Sequence, residues 1–146
     1  MRFWDTSAIV PLLVKEISTA AMQSLYRDDS VLFVWWGTEI ECISAIARVE
    51  REGMVSTSTV VKVINRLKLL SESWHEIQSV EEVKKIAKRF LRVHNLRAAD
   101  ALQLASAFLA AEKDSSTLEF VCLDERLANA ARKEGFAVTS SPGLSL

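Results

Sequence analysis

Asp5, Glu41, Asp100 and Asp124 share a kind of position: each stands in or beside the first turn of a predicted helix, and Asp5 and Asp124 directly follow predicted strands. In an open α/β sheet, sites form at the carboxyl ends of strands. Two carboxylates ~4 Å apart repel by roughly 4 kcal/mol at an effective dielectric of about 20. Four acids gathered at such an end therefore call for a counter-charge. An oxygen-only donor set suits a hard divalent cation, Mg²⁺ or Mn²⁺, better than zinc. A cation held in this way polarises a phosphoryl oxygen and lowers the pKa of bound water, which suits phosphate substrates.

Taken singly, each acid has a simpler explanation. Asp is a preferred N-cap, and acids in a first turn are favoured by the helix dipole. Asp100 is the hardest to explain in that way. The segment Ala98 to Ala111 is apolar nearly all round and so is expected to be mostly buried. A lone buried carboxylate is costly unless paired or bound to a cation. Gln103 and Ser106 continue the stripe that starts at Asp100. Glu39 and Glu41 compete for one role. Helical spacing puts Glu41 on a polar face with Ser44 and Arg48, whereas Glu39 aligns with Cys42, Ile43 and Ile46. A Glu41–Arg48 ion pair is the structural alternative.

The elements that must position these acids alternate between strand and helix. Strands are expected at Arg2 to Trp4, Val31 to Trp35, Trp74 to Gln78, Glu119 to Leu123 and Phe136 to Thr139. Helices are expected at Thr6 to Lys15, Ser18 to Arg27, Thr38 to Glu52, Ser56 to Leu70, Ser79 to Val93, Arg97 to Ala111 and Asp124 to Glu134. Pro11 is tolerable only near a first turn. Ser79 with Glu82 spells a capping box. Strands separated by helices imply a central parallel sheet with helices on both faces.

The chain has 146 residues, suited to a single domain over 1–140 with a short tail over 141–146. Its 49% hydrophobic and 25% charged residues, with only 4 Gly and 2 Pro, are ordinary for a globular protein and argue against disorder. A net charge of −1 excludes a strongly basic coat, though not a local basic groove. No apolar stretch approaches the ~20 residues of a membrane span, so a cytoplasmic protein is expected. Cys42 and Cys122 lie in apolar runs and read as buried free thiols. His75 and His94 have no zinc-ligand spacing.

Four segments together resemble a known family. Phe3-Trp4-Asp5-Thr6-Ser7-Ala8-Ile9-Val10 resembles the start of PIN-domain proteins, and Glu39-Ile40-Glu41-Cys42-Ile43-Ser44-Ala45 resembles their second acidic block. Leu96-Arg97-Ala98-Ala99-Asp100-Ala101-Leu102-Gln103-Leu104-Ala105 resembles the third. Phe120-Val121-Cys122-Leu123-Asp124-Glu125-Arg126-Leu127 resembles the fourth. Their order is that of the family, and the nearest subgroup is the VapC-type toxins of toxin–antitoxin pairs. The resemblance implies a three-layer α/β/α sandwich with a central parallel sheet (PIN-like) and a Mg²⁺- or Mn²⁺-dependent endoribonuclease. Asp5 and Asp100 would be the main metal ligands, with Asp124 helping and Glu41 completing the cage or positioning the attacking water. Thr6 or Ser7 would support the site by hydrogen bonds. A homodimer and a small DNA-binding antitoxin partner are also implied. Gln103 stands where relatives often carry His, and Cys122 where they often carry Thr or Ser. Neither departure removes a carboxylate.

The basic stretch Lys84, Lys85, Lys88, Arg89, Arg92 and Arg97 could hold RNA phosphates or form a solvated face. Trp35 and Trp36 read as core or dimer contacts rather than base-stacking residues. A phospho-receiver module is the main competitor. It would need an Asp at the end of the middle strand and a Lys after the last, and Trp74 to Gln78 and Phe136 to Thr139 supply neither. A silent PIN-like domain is disfavoured by the presence of all four acids. A flap-type DNA nuclease would need helical insertions that this length hardly allows.

Overall fold

A computed structural model of the chain describes residues 1–140, so the tail lies outside the described residues. Five short strands form one sheet: β1 (Arg2–Trp4), β2 (Leu32–Trp35), β3 (His75–Ile77), β4 (Glu119–Val121) and β5 (Ala137–Thr139). The order is β3-β2-β1-β4-β5, with every pair parallel. The α/β class read from the alternating pattern is the one observed. β1 is central, and Phe3 pairs in register with Phe33 on one side and Phe120 on the other.

Successive residues of a strand point to opposite faces, and here the alternation separates two cores. Phe3, Trp35 and Phe120 face one layer, made by α5 (Glu81–Val93), α6 (Ala98–Ala110) and α7 (Glu125–Lys133). Trp4, Val34 and Val121 face the other, made by α1 (Thr6–Leu13), α2 (Thr19–Asp28), α3 (Thr38–Arg51) and α4 (Thr57–Ser73). The result is a three-layer α/β/α sandwich. Phe3 and Phe120 are fully buried and stack with ring centroids 5.6 Å apart. Burial of each such ring contributes roughly 1.5–3 kcal/mol. The small side chains Ala101, Ala105 and Ala107 are buried on α6 and let that helix lie close against its neighbours.

Local signals explain most boundaries. Gly53, at φ 72°, follows the end of α3, in the left-handed region that favours glycine. Ser56 caps α4 by accepting from the Thr59 N–H. Two expectations differ from the fold. The Ser79–Glu82 capping box is not formed: α5 begins one residue later, with Val80 at its N-cap and no side-chain cap. The Val80 N–H bonds instead to the Gln78 carbonyl, which carries the chain past Ser79 before the helix starts. Pro11 lies in the second turn of α1 rather than the first. The helix ends two residues later at Leu13, so little of it remains for the missing N–H to destabilise. Among the described residues no helix is long and apolar enough to cross a membrane.

Candidate metal centre at the carboxyl end of the sheet

Topology brings the four acids together from both layers. β1 leads into Asp5, whose N–H extends the β1–β4 ladder by donating to the Val121 carbonyl at 3.0 Å. Asp5 then caps α1. Neighbouring β4 leads through Cys122 and Leu123 to Asp124, which caps α7. On the other side of β1, β2 leads into α3, with Glu41 in its first turn. Asp100 is in the first turn of α6. Asp5 and Glu41 thus come with one helical layer, and Asp100 and Asp124 with the other.

Burial grades from floor to mouth. Asp5 is 5% exposed, Glu41 and Asp100 are half-buried, and Asp124 is exposed. Asp100 is therefore not the lone buried carboxylate that its apolar helix suggested. It sits at the rim, and the buried stripe of α6 begins with Ala101 and Gln103.

Each carboxylate is turned toward a donor of its own. Asp5 Oδ2 accepts from the Ser7 N–H at 3.1 Å and the Ser7 hydroxyl at 2.5 Å. Glu41 Oε1 accepts from Gln103 Nε2 at 3.0 Å. Asp100 Oδ2 accepts weakly from the Arg97 N–H at 3.4 Å. Asp124 Oδ1 accepts from the N–H groups of Arg126 and Leu127 at 3.0 and 3.2 Å. The capping role of the helix-start acids is thus real, and it coexists with their convergence.

Electrostatics records that convergence. Burial raises the Asp5 pKa, the Ser7 bonds oppose the rise, and the charges of Asp100 and Asp124 add to it. Glu41 is raised from 4.5 to about 7, first by burial and then by Asp5, with Gln103 opposing and Asp100 adding. Asp100 is raised by burial and by Asp124, against the Arg97 N–H and the charges of Arg126 and Arg97. Acids that destabilise one another's charged forms are a signature of functional sites.

These oxygens could hold a hard divalent cation, with Asp5, Asp100 and Asp124 as the donors. Among the described residues, no three His, Cys, Asp or Glu side chains already stand in the close array of a finished metal site. The donor chemistry, oxygen only, fits Mg²⁺ or Mn²⁺.

Glu39 is exposed, which leaves Glu41 as the acid of its block that reaches the cluster. Glu41 does not pair with Arg48, which makes no ion pair among the described residues. The two residues noted in the sequence as departures touch the acids. Cys122 Sγ lies 3.6 Å from Asp5 Oδ2 and 3.3 Å from the Asp124 carbonyl, and burial pushes its thiol pKa up, leaving a neutral donor. Gln103 bridges Glu41 and Thr6. The polar stripe at Asp100, Gln103 and Ser106 was the available signal for Gln103. Trp35 is 7% exposed, and its indole lies where a side chain on Gly37 would be, so it belongs to the core as expected. Trp36 is 52% exposed.

A parallel α/β/α sandwich with acids at the carboxyl ends of its central strands is the class this fold and site define, and the fold is PIN-like. No protein-family model and no curated protein matches the sequence. Solved structures do match in fold. The chain is similar to one in the structure of FitAB bound to an IR36 DNA fragment, with 18% identity, a TM-score of 0.67, and coverage of 100% of this chain and 99% of that one. It is also similar to one in the crystal structure of FitAcB from Neisseria gonorrhoeae, with 19% identity, a TM-score of 0.63, and coverage of 94% and 96%.

Proposed function

We propose that this chain is a PIN-domain, Mg²⁺- or Mn²⁺-dependent endoribonuclease and acts as the toxin of a VapC-type toxin–antitoxin pair. The observation that carries this reading is the gathering of Asp5, Glu41, Asp100 and Asp124 at one end of the sheet, where burial and then the neighbouring acidic charges raise the pKa values of Asp5, Glu41 and Asp100. Asp5, Asp100 and Asp124 would hold the cation, which when bound supplies charge for a phosphoryl oxygen and an acidified water. Glu41 would complete the cage or position the attacking water, and its value near 7 suits it to accept a proton from that water. Cys122 and Ser7 keep Asp5 oriented from below.

A groove of about 1290 Å³ opens beside the acids and offers a path for a nucleic-acid strand. Thr6, Ser7 and Leu123 line it, each next in sequence or close to Asp5 or Asp124; Lys15 and Arg48 supply positive charge, while Glu16 and Glu125 also line it and Arg132 pairs with Glu125. We take this groove as the phosphate track in preference to the basic helix α5 because it adjoins Asp5 and Asp124. On α5, Lys84 pairs with Glu81 and Arg89 stacks over Phe90 and Phe108. The phospho-receiver reading loses further ground, because β3 is an edge strand remote from the central β1–β4 pair.

As for partners, the likeness in fold to a chain of FitAB, a structure determined on DNA, supports a small DNA-binding antitoxin as partner. Exposed Trp36 is a candidate contact for the homodimer that the family resemblance implies. The test is RNA cleavage with Mn²⁺ or Mg²⁺, with and without chelator. Cleavage should need the cation and vanish in Asp5→Asn and Asp100→Asn, both remaining folded. Undiminished cleavage in both variants would overturn the site.

A further inference from the structure

Gln103 is 1% exposed and lies one turn beyond Asp100 on α6. Its Nε2 donates both to Glu41 Oε1 and to Thr6 Oγ1, each at 3.0 Å. One amide therefore joins three helices, and each of these carries or is capped by an acid of the cluster: α1 by Asp5, α3 by Glu41 and α6 by Asp100. The other end of the amide is unsatisfied, since Oε1 is buried with no hydrogen-bond partner. A buried acceptor without a donor costs free energy. As a space-filler, Gln103 is thus inferior to an apolar side chain of similar size. What the amide supplies, and an apolar group does not, is a directed N–H on the Glu41 carboxylate.

We propose that Gln103 is a positioning residue: its amide fixes Glu41 through Oε1, while Thr6 fixes the amide, so that the second carboxylate oxygen of Glu41 is left for the metal site. This deepens the nuclease reading and rests on it. Gln103 is neutral at every working pH, so it orients Glu41 without supplying a cation that would neutralise it.

The test compares Gln103→Leu with the wild-type chain in thermal unfolding, in Mn²⁺ binding by calorimetry without RNA, and in steady-state RNA cleavage. Gln103→Met, which keeps the length and flexibility of the side chain, covers a poor fit of the leucine. The melting temperature is expected to fall in either role, because Glu41 and Thr6 lose their donor, so the metal and kinetic readouts decide. Mn²⁺ affinity or kcat should fall by about 10–100-fold, with KM little changed, as for other side chains that orient metal ligands. A lower melting temperature with unchanged Mn²⁺ affinity and kcat would overturn the proposal in favour of a purely structural role. Wild-type protein that cleaves no RNA would overturn the nuclease reading instead. The calorimetry still decides the positioning role in that case, because it contains no RNA.

Discussion

The Ser7 hydroxyl donates to Asp5 Oδ2 across 2.5 Å. Ser7 Oγ in turn accepts from the Leu123 N–H at 2.9 Å, so one side chain ties the most buried acid to the loop that delivers Asp124. Ser7→Ala removes the donor to Asp5 and leaves the Leu123 N–H without that partner. Loss of a buried partner costs roughly 1–3 kcal/mol, which denaturant unfolding should register. Cleavage should fall as well, because Asp5 loses a donor that opposes its raised pKa. Unchanged stability and unchanged cleavage in Ser7→Ala would show that the bridge does not organise the site.

The acid cluster sets a pH dependence whose sign is fixed. Glu41 has a pKa of about 7 in the folded chain, against an ordinary 4.5. Between those values the folded state binds more protons than the unfolded state, so stability falls as pH rises through the window and the loss is complete above the folded value. Asp5 and Asp100 are raised too and act in the same direction. Metal-free protein should therefore melt at a lower temperature at pH 8 than at pH 5. Mn²⁺ should reverse the loss at the higher pH, by about 2.7 kcal/mol when its concentration is 100 times Kd. A melting temperature that rises across this window and ignores Mn²⁺ would contradict the cluster.

Asp124 combines a cap with a candidate ligand, and two substitutions separate the roles. Asn is as good an N-cap as Asp, whereas Ala costs typically about 1 kcal/mol. Asp124→Asn should preserve stability and weaken Mn²⁺-dependent cleavage. Asp124→Ala should lose both. Full cleavage in Asp124→Asn would reduce Asp124 to the capping of α7.

The groove makes a claim about salt. With Asp5→Asn as an inactive background, Arg48→Ala should weaken binding of a labelled single-stranded RNA. It should also flatten the slope of log K against log salt by about 0.7, the value for one phosphate on a single strand. Lys85→Ala on α5, where Lys85 lies beside Glu82, should leave the slope unchanged. The reverse pattern would move the RNA track to α5.

What was legible in the sequence was local. Asp5 and Asp124 announced themselves as caps after apolar strands, and the alternation of Phe3 with Trp4 and of Phe120 with Val121 fitted strands buried on both faces. Glu41 was separable from Glu39 by helical spacing alone, and exposure agrees. What was illegible was long-range. Gln103 meets Thr6 and Glu41 across 97 and 62 positions, and no periodicity encodes such a contact. The depth of Asp100 was misjudged for a related reason: a helix of small apolar residues is buried where it packs, and at its first turn Ala98 and Ala99 are exposed and Asp100 is half-buried. At Ser79 a capping motif lost to the path of the preceding loop, which bends through Val80.

The central position of β1 has a consequence for biosynthesis. Strand β1 is made long before one of its two partners, because β4 is formed by residues Glu119–Val121. A nascent chain that has already exposed Asp5, Glu41 and even Asp100 to the cell still lacks the strand that locks Asp5 against the Asp124 loop. The carboxylate cluster therefore assembles only after β4 and Asp124 have been made. Late closure of the sheet works as a timing device: whatever chemistry the four acids perform is withheld until the β4 segment has joined β1.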